Sequence, residues 1–447
     1  MVFAFILLLC RFNWASELPL EPYSEEIIKK AEAGDSYAQF VVGRSYFYGK
    51  GVPKDLKEAA KWFFLSAKQN YARSQNAIGV LFRDNDIESP ETDQEIKNAT
   101  PELSFSKTKK DTKQPHHLQM ALYWFMMASD NGDLRAKANI GRMYLDGLGL
   151  EQSDIEAFRW YEEAANGGLP AAQATIGRLY QKGRGVPLDT KKAFEWMTKA
   201  SENKNKDEIK AIGEAQANLG HYYYEGIGTE KSLQEALKWN TKSAENGSPI
   251  GQYNLGNAYY HGYGTEKNIP TALMWYQKSA DQGFEEALYQ LGWLSEKGIG
   301  LKQSNEKAFE YYKKSAAKGN FKAQNNLARY YLNGLGVQKN EGEAYRLWLR
   351  SALQTNIIAF VNLGSCFEKG TGVEPNVFEA ARWYERGAMA GEPNAQYNYG
   401  RLYETGLGVE KNIKTAKQWY LKAADQGLEP AKEAIRRIEK EAISSDN

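Results

Sequence analysis

Residues 395–427 read AQYNYGRLYETGLGVEKNIKTAKQWYLKAADQG, and two markers inside them decide the fold. One is the glycine closing the A-Q-x-x-x-G segment, here Gly400. The other is the alanine of an A-x-x-W segment, here Ala416 followed by Trp419. Outward from this stretch the glycine returns at Gly43, Gly79, Gly141, Gly177, Gly220, Gly256, Gly292 and Gly364, with Ala328 in the eighth place. Within each uninterrupted run the spacing is 36 residues. The alanine returns at Ala59, Ala121, Ala157, Ala193, Ala236, Ala272, Ala308, Ala344 and Ala380. Trp62, Trp124, Trp160, Trp196, Trp239, Trp275, Trp383 and Trp419 stand three residues after it, eight of the chain's 11 tryptophans, which reads as one core column. Two independent markers keeping one period across ten units identify a repeat protein, whose units bury their apolar faces only by stacking.

Each unit reads as helix A, turn, helix B. In helix A a small residue, the glycine five later and an aromatic three beyond form one face, as in Ala395, Gly400 and Tyr403. A helix-interior glycine costs about 1 kcal/mol against alanine, so its recurrence predicts that a neighbouring backbone approaches closely there. The G-x-G turn, as in Gly406-Leu407-Gly408, suits a left-handed cap that ends helix A. Helix B then starts at Asp55, Ser153, Asp189, Ser232, Asn268, Ser304, Asn340, Asn376 or Asn412, all strong N-capping residues, with His117 the exception. Glu58, Glu156, Glu235, Glu343 and Glu379 add the capping-box carboxylate three residues later. The repeats occupy 24–443, with Ala31 marking a lone leading helix B and EPAKEAIRRIEKEA at 429–442 a charged closing helix A. A polar insert at about 84–117 lacks helical periodicity and is expected to be a mobile loop. A shorter excess falls around Asn203–Lys210.

Composition sets the boundaries. The 447 residues carry 57 Lys+Arg against 56 Asp+Glu, a net charge of +1, which argues against nucleic acid as partner. Mean hydropathy is −0.64, which excludes a polytopic membrane protein. VFAFILLLC at 2–10 falls far short of the ~20 residues of a membrane span, and residues 1–16 read as a signal peptide or leader. Export to a bacterial periplasm, secretion, or the endoplasmic reticulum lumen is therefore expected, with the cytoplasm as the alternative. Cys10 and Cys366 are the only cysteines, too few for a disulfide framework or a cysteine zinc site. His116, His117, His221 and His261 show no metal-ligand spacing, and no phosphate loop or nucleophile elbow occurs. No enzyme chemistry, cofactor or metal is expected.

The pattern A-x-A-Q-x-x-L-G-x-x-Y-x-x-G-x-G-V…D-x-x-x-A-x-x-W-Y-x-x-A-A-x-x-G resembles the Sel-1-like repeat, a relative of the tetratricopeptide repeat. The resemblance implies an all-α, right-handed superhelical α/α solenoid of about ten helix-turn-helix repeats with terminal capping helices. It implies a non-enzymatic scaffold or adaptor for protein segments, including adaptors of endoplasmic-reticulum-associated degradation and exported bacterial factors. Cysteine-rich members of the family bind penicillin-like compounds, which makes a penicillin-binding or penicillin-hydrolysing envelope enzyme the alternative, although this chain lacks their cysteines. In such a solenoid the A helices line a concave wall.

Two columns on that wall draw notice. Asn139, Asn218, Asn254, Asn326, Asn362 and Asn398 stand two residues before the glycine position. Arg44, Arg142, Arg178, Arg329 and Arg401, with His221, Asn257 and Trp293, stand one after it, so the columns are three apart on one helix face. Tyr224, Tyr253 and Tyr260 add aromatic surface. One reading is an asparagine ladder on the backbone of an extended peptide, with arginines taking its carboxylates. The other has each Asn bonding a neighbouring helix and each Arg pairing with a local glutamate, as Arg401 with Glu404.

Overall fold

The computed structural model describes residues 22–84 and 115–445, and among these it has 22 α-helices and no strand. The expected leader, Cys10 and almost all of the expected loop lie outside the described residues. Two compact units divide the chain, Met1–Gly251 and Gln252–Asn447. In the first, a lone helix Glu25–Glu32 precedes pairs such as Ser36–Tyr48 with Leu56–Ala67. In the second, pairs such as Glu285–Lys297 with Asn305–Ala317 run to a final helix, Glu429–Ser445. Within each unit every helix packs on its chain neighbours, the nearest-neighbour pattern of an all-α repeat solenoid.

The local signals act as the sequence leads one to expect. At all nine predicted B-helix starts the side chain accepts a backbone N–H of the first turn, from Asp55 on Lys57 and Glu58 to Asn412 on Thr415. The exception also holds: helix His116–Asp130 follows Pro115 and has no side-chain cap. It begins one residue before the expected end of the insert. The first turn glycine is left-handed, as at Gly406 with φ 79°. The second closes on the previous repeat, since a Cβ on Gly408 would sit 2.3 Å from the Val377 carbonyl oxygen.

The helix-interior glycine answers to a ring rather than to a backbone. A Cβ on Gly364 would lie 2.5 Å from the Tyr384 ring, and one on Gly43 2.7 Å from Phe63. The pressing residue lies four after the marker alanine and is Phe63, Phe125, Tyr161, Tyr276, Tyr312, Tyr384 or Tyr420 in seven repeats, all buried. This column, one residue beyond the tryptophans, is the true core. Only Trp124, Trp239 and Trp383 of the tryptophan column are buried; the other five are half-buried, which corrects the expectation of a wholly internal stack. The position after each tryptophan faces inward, so the tryptophan itself sits at the margin. There Lys422, Lys278 and Lys199 lie 3.9, 4.1 and 4.3 Å from the ring centroids of Trp419, Trp275 and Trp196.

Glutamine side chains tie repeat to repeat. Gln396 donates to the Ala388 carbonyl and accepts from Gln426, and Gln39, Gln216 and Gln324 repeat the arrangement with Gln69, Asn246 and Gln354. The excess around Asn203–Lys210 becomes a short 3-10 turn, Lys206–Glu208, leading into the long helix Ile209–Glu225. From that turn the buried Glu208 reaches back to Arg135 in an ion pair across 73 residues.

Candidate functional site

The A-helix columns stand two residues before and one residue after the glycine position, on one face of each helix. In the N-terminal unit most of their side chains are engaged locally. Asn139, 1% exposed, donates to Asn76 at 2.8 Å and accepts from Arg83 at 3.1 Å. Arg142 donates to Asp146 at 3.2 Å, Arg178 to Thr175 at 2.9 Å, and Asn218 back to the Glu214 carbonyl at 2.9 Å. Burial lowers the His221 pKa, favouring its neutral ring. Tyr224 lies under Lys231, whose Nζ is 5.0 Å from the ring centroid.

In the C-terminal unit a three-residue stitch appears. Glu296 accepts the Tyr312 hydroxyl at 3.0 Å and Arg329 at 2.7 Å. Glu368 does the same with Tyr384 and Arg401, and Glu404 with Tyr420 and Arg437. The glutamate comes from one repeat's A helix, the tyrosine from its B helix and the arginine from the following A helix. Burial pushes the Glu296 carboxyl up, yet Arg329, the Tyr312 hydroxyl and Lys297 together hold it below the ordinary carboxylate range. Burial, with Glu296 beside it, pushes the Tyr312 hydroxyl up. The Arg401–Glu404 pairing thus gives way to Arg401–Glu368, because Glu404 is taken by the closing helix. Nothing but spacing could have revealed the stitch in the sequence: the glutamate-to-arginine interval of 33 and the glutamate-to-tyrosine interval of 16.

The remaining predicted residues divide. Asn326 stands beside the hydroxyls of Tyr289 and Tyr312, and Asn362 donates to Asn325 at 2.9 Å. Asn257 accepts the Tyr276 hydroxyl at 2.7 Å, and Tyr253 packs on Tyr276 and Phe284 at 5.8 and 5.5 Å between centroids. Burial raises the Tyr253 hydroxyl to about 12. Asn254 and Asn398 are half-buried. Tyr260 and Trp293 come together edge to face at 6.4 Å, both half-exposed, in the register where the next repeat junction holds Glu296 and Arg329. Among the described residues no three His, Cys, Asp or Glu stand close enough to hold a metal ion, and no helix is long and apolar enough to cross a membrane.

Paired helices with glycine-seated rings, glutamine ties and a patterned A-helix wall define a helical-repeat protein. The Sel1 repeat model matches ten segments, at 36–71, 116–133, 134–169, 170–205, 213–248, 249–284, 285–320, 321–356, 361–392 and 393–428. The chain belongs to the Sel1 repeat family, whose members are generally protein-interaction scaffolds. Among solved structures it is similar to a protective antigen present in uropathogenic Escherichia coli strains that displays an SLR fold. The two are 31% identical over 93% of this chain and 82% of that one, with a TM-score of 0.53. A Sel1 repeat protein from Oxalobacter formigenes is 28% identical over 56% of this chain and 96% of that one, with a TM-score of 0.48.

Proposed function

We propose that this chain is a non-enzymatic adaptor, exported from the cytoplasm, that holds segments of partner proteins against its A helices. The observation that carries the reading is the Tyr260–Trp293 pair. Its register is occupied by a polar stitch at the next junction, so the repeat does not need two aromatic rings there. Half-exposed Tyr and Trp are the side chains that most often dominate protein contacts, because they bury a large area at small entropic cost. The near-neutral chain, at +1, favours protein over nucleic acid.

The test converts the pair into the neighbouring stitch with Tyr260→Glu and Trp293→Arg in the full chain, where the Tyr276 hydroxyl already stands. Photo-crosslinking from position 293 in cells should give partner adducts. Capture of those partners should fall about tenfold or more in the double variant while its circular dichroism melt is kept. Equal capture by a folded variant would refute the assignment. Sequencing of the mature N-terminus after cell fractionation decides export, and an intact leader in the cytosolic fraction would reject it.

A further inference from the structure

The turns that join each B helix to the next A helix change character along the C-terminal unit. The turn before helix Glu285–Lys297 is acidic, with Asp281, Glu285 and Glu286, and so is the one before Glu429–Ser445, with Asp425 and Glu429. The three turns between them differ. The first exposes Lys314, Lys318 and Lys322, none of which forms an ion pair among the described residues. Glu286, the acid that acts on Lys322, is driven toward its neutral form by burial. In the second turn Leu353 is 73% exposed and Ile358 58%, with Ile357 and Arg350 also exposed. In the third, Met389 is 74% exposed and Arg386 stands three residues before it. No acid occurs between Glu343 and Glu368. In the third turn Glu385 accepts the Tyr399 hydroxyl and Glu392 caps Ala395.

Repeat packing does not ask for these apolar side chains. Asp281 and Asp425 occupy the register of Leu353 and Met389, and Lys322 and Asn394 that of Ile358. Phe360 and Ala390 replace the glutamine tie that Gln324 makes with Gln354 and Gln396 with Gln426; Phe360 packs on Trp383 at 5.8 Å instead. Thr355 holds a left-handed turn at φ 62° where the neighbouring turns use Gly319 and Gly391, a strained choice for a β-branched residue. It confines the turn more tightly than glycine does. Single exposed apolar side chains are ordinary, but four on two adjacent turns, rimmed by cations, mark a docking surface. They project from turns with no groove around them, which suits a medium that closes over them. A two-fold contact with a second copy would set the same cations against one another. We propose that this edge of the C-terminal unit docks on an anionic lipid bilayer. Leu353, Ile358 and Met389 enter the headgroup region, and Lys318, Lys322 and Arg350 meet the lipid phosphates. Binding then combines buried apolar area with attraction to anionic lipid. This goes beyond the adaptor reading and does not rest on it.

The experiment places an environment-sensitive dye at position 353, as Leu353→Cys with Cys10→Ser in the full chain; Cys366 is buried. Vesicles of phosphatidylcholine with phosphatidylglycerol should shift its emission to the blue, and phosphatidylcholine alone should not. Added salt should weaken the response. Met389→Gln, which removes an apolar anchor, and Lys318→Gln with Lys322→Gln, which removes two charges, should each raise the lipid needed about tenfold. These positions are exposed, so the circular dichroism melt should be kept. No shift with anionic vesicles overturns the proposal even where the chain sediments with them, because another segment then does the binding. An equal shift on neutral vesicles, or in either folded variant, overturns it as well. So does a lipid-free dimer that Met389→Gln splits, since the occupant is then a second copy. Crosslinks from position 353 to a protein in cells, with no shift on vesicles, would overturn it in favour of a protein occupant.

Discussion

The first repeat junction and the last two solve one packing problem with opposite chemistry. All of them seat a ring on a glycine, Phe63 on Gly43, Tyr384 on Gly364 and Tyr420 on Gly400. At the last two the ring carries a hydroxyl, which draws a glutamate, which draws an arginine from the next helix. At the first the ring has no hydroxyl, and the equivalent positions hold Phe47 and Val80. A polar junction ties itself to its next repeat by hydrogen bonds and an ion pair, while the apolar one holds it by packing.

The shared part of the comparison carries the largest effect. Gly43→Val and Gly364→Val should each destabilise by about 3 kcal/mol in urea denaturation, because both overpack the ring beneath. A mild effect at either would show that the ring can move aside. Next comes the part that differs. Glu368→Ala strands the Tyr384 hydroxyl and Arg401 together and should cost about 2–3 kcal/mol, against about 1–2 kcal/mol for Phe47→Ala at the equivalent place. Tyr384→Phe, which copies the first junction, should cost about 1 kcal/mol.

Two glutamates of helix Glu285–Lys297 should titrate with opposite signs. Glu296, held below the ordinary glutamate value of 4.5, contributes stability above that pH, and this is lost as pH falls through its folded pKa. Glu286 is pushed by burial to about 8, with one carboxyl oxygen lacking a hydrogen-bond partner among the described residues. Its contribution is full below 4.5 and is lost as pH rises through 8. Glu296→Gln should flatten the acid side of the stability profile and Glu286→Gln the neutral side; unchanged profiles would remove either group from the account. The smallest effect belongs to the margin, where Lys422→Ala above Trp419 should cost about 0.5 kcal/mol.

What was legible in the sequence was whatever depends on one helix at a time. Capping at Asn376 or Asn412 is decided within a turn of chain, and the period placed every repeat. The ring on the glycine was half legible, since Gly364 announced a close approach but not what approached. Arg401 was misread because its partner is 33 residues away, and local spacing favoured Glu404, which a helix still farther along had taken. The tryptophan column was placed one residue off the inward direction, a difference of about 100° around a helix.

The ion pair between Arg135 and Glu208 stands apart from ties that reach only to an adjacent repeat, since it spans 73 residues. Under mechanical tension a ladder of adjacent ties would come undone rung by rung, each rung releasing about 12 nm of contour. The clasp from the third repeat to the fifth would make those rungs yield as one, leaving in a pulling trace a single long step.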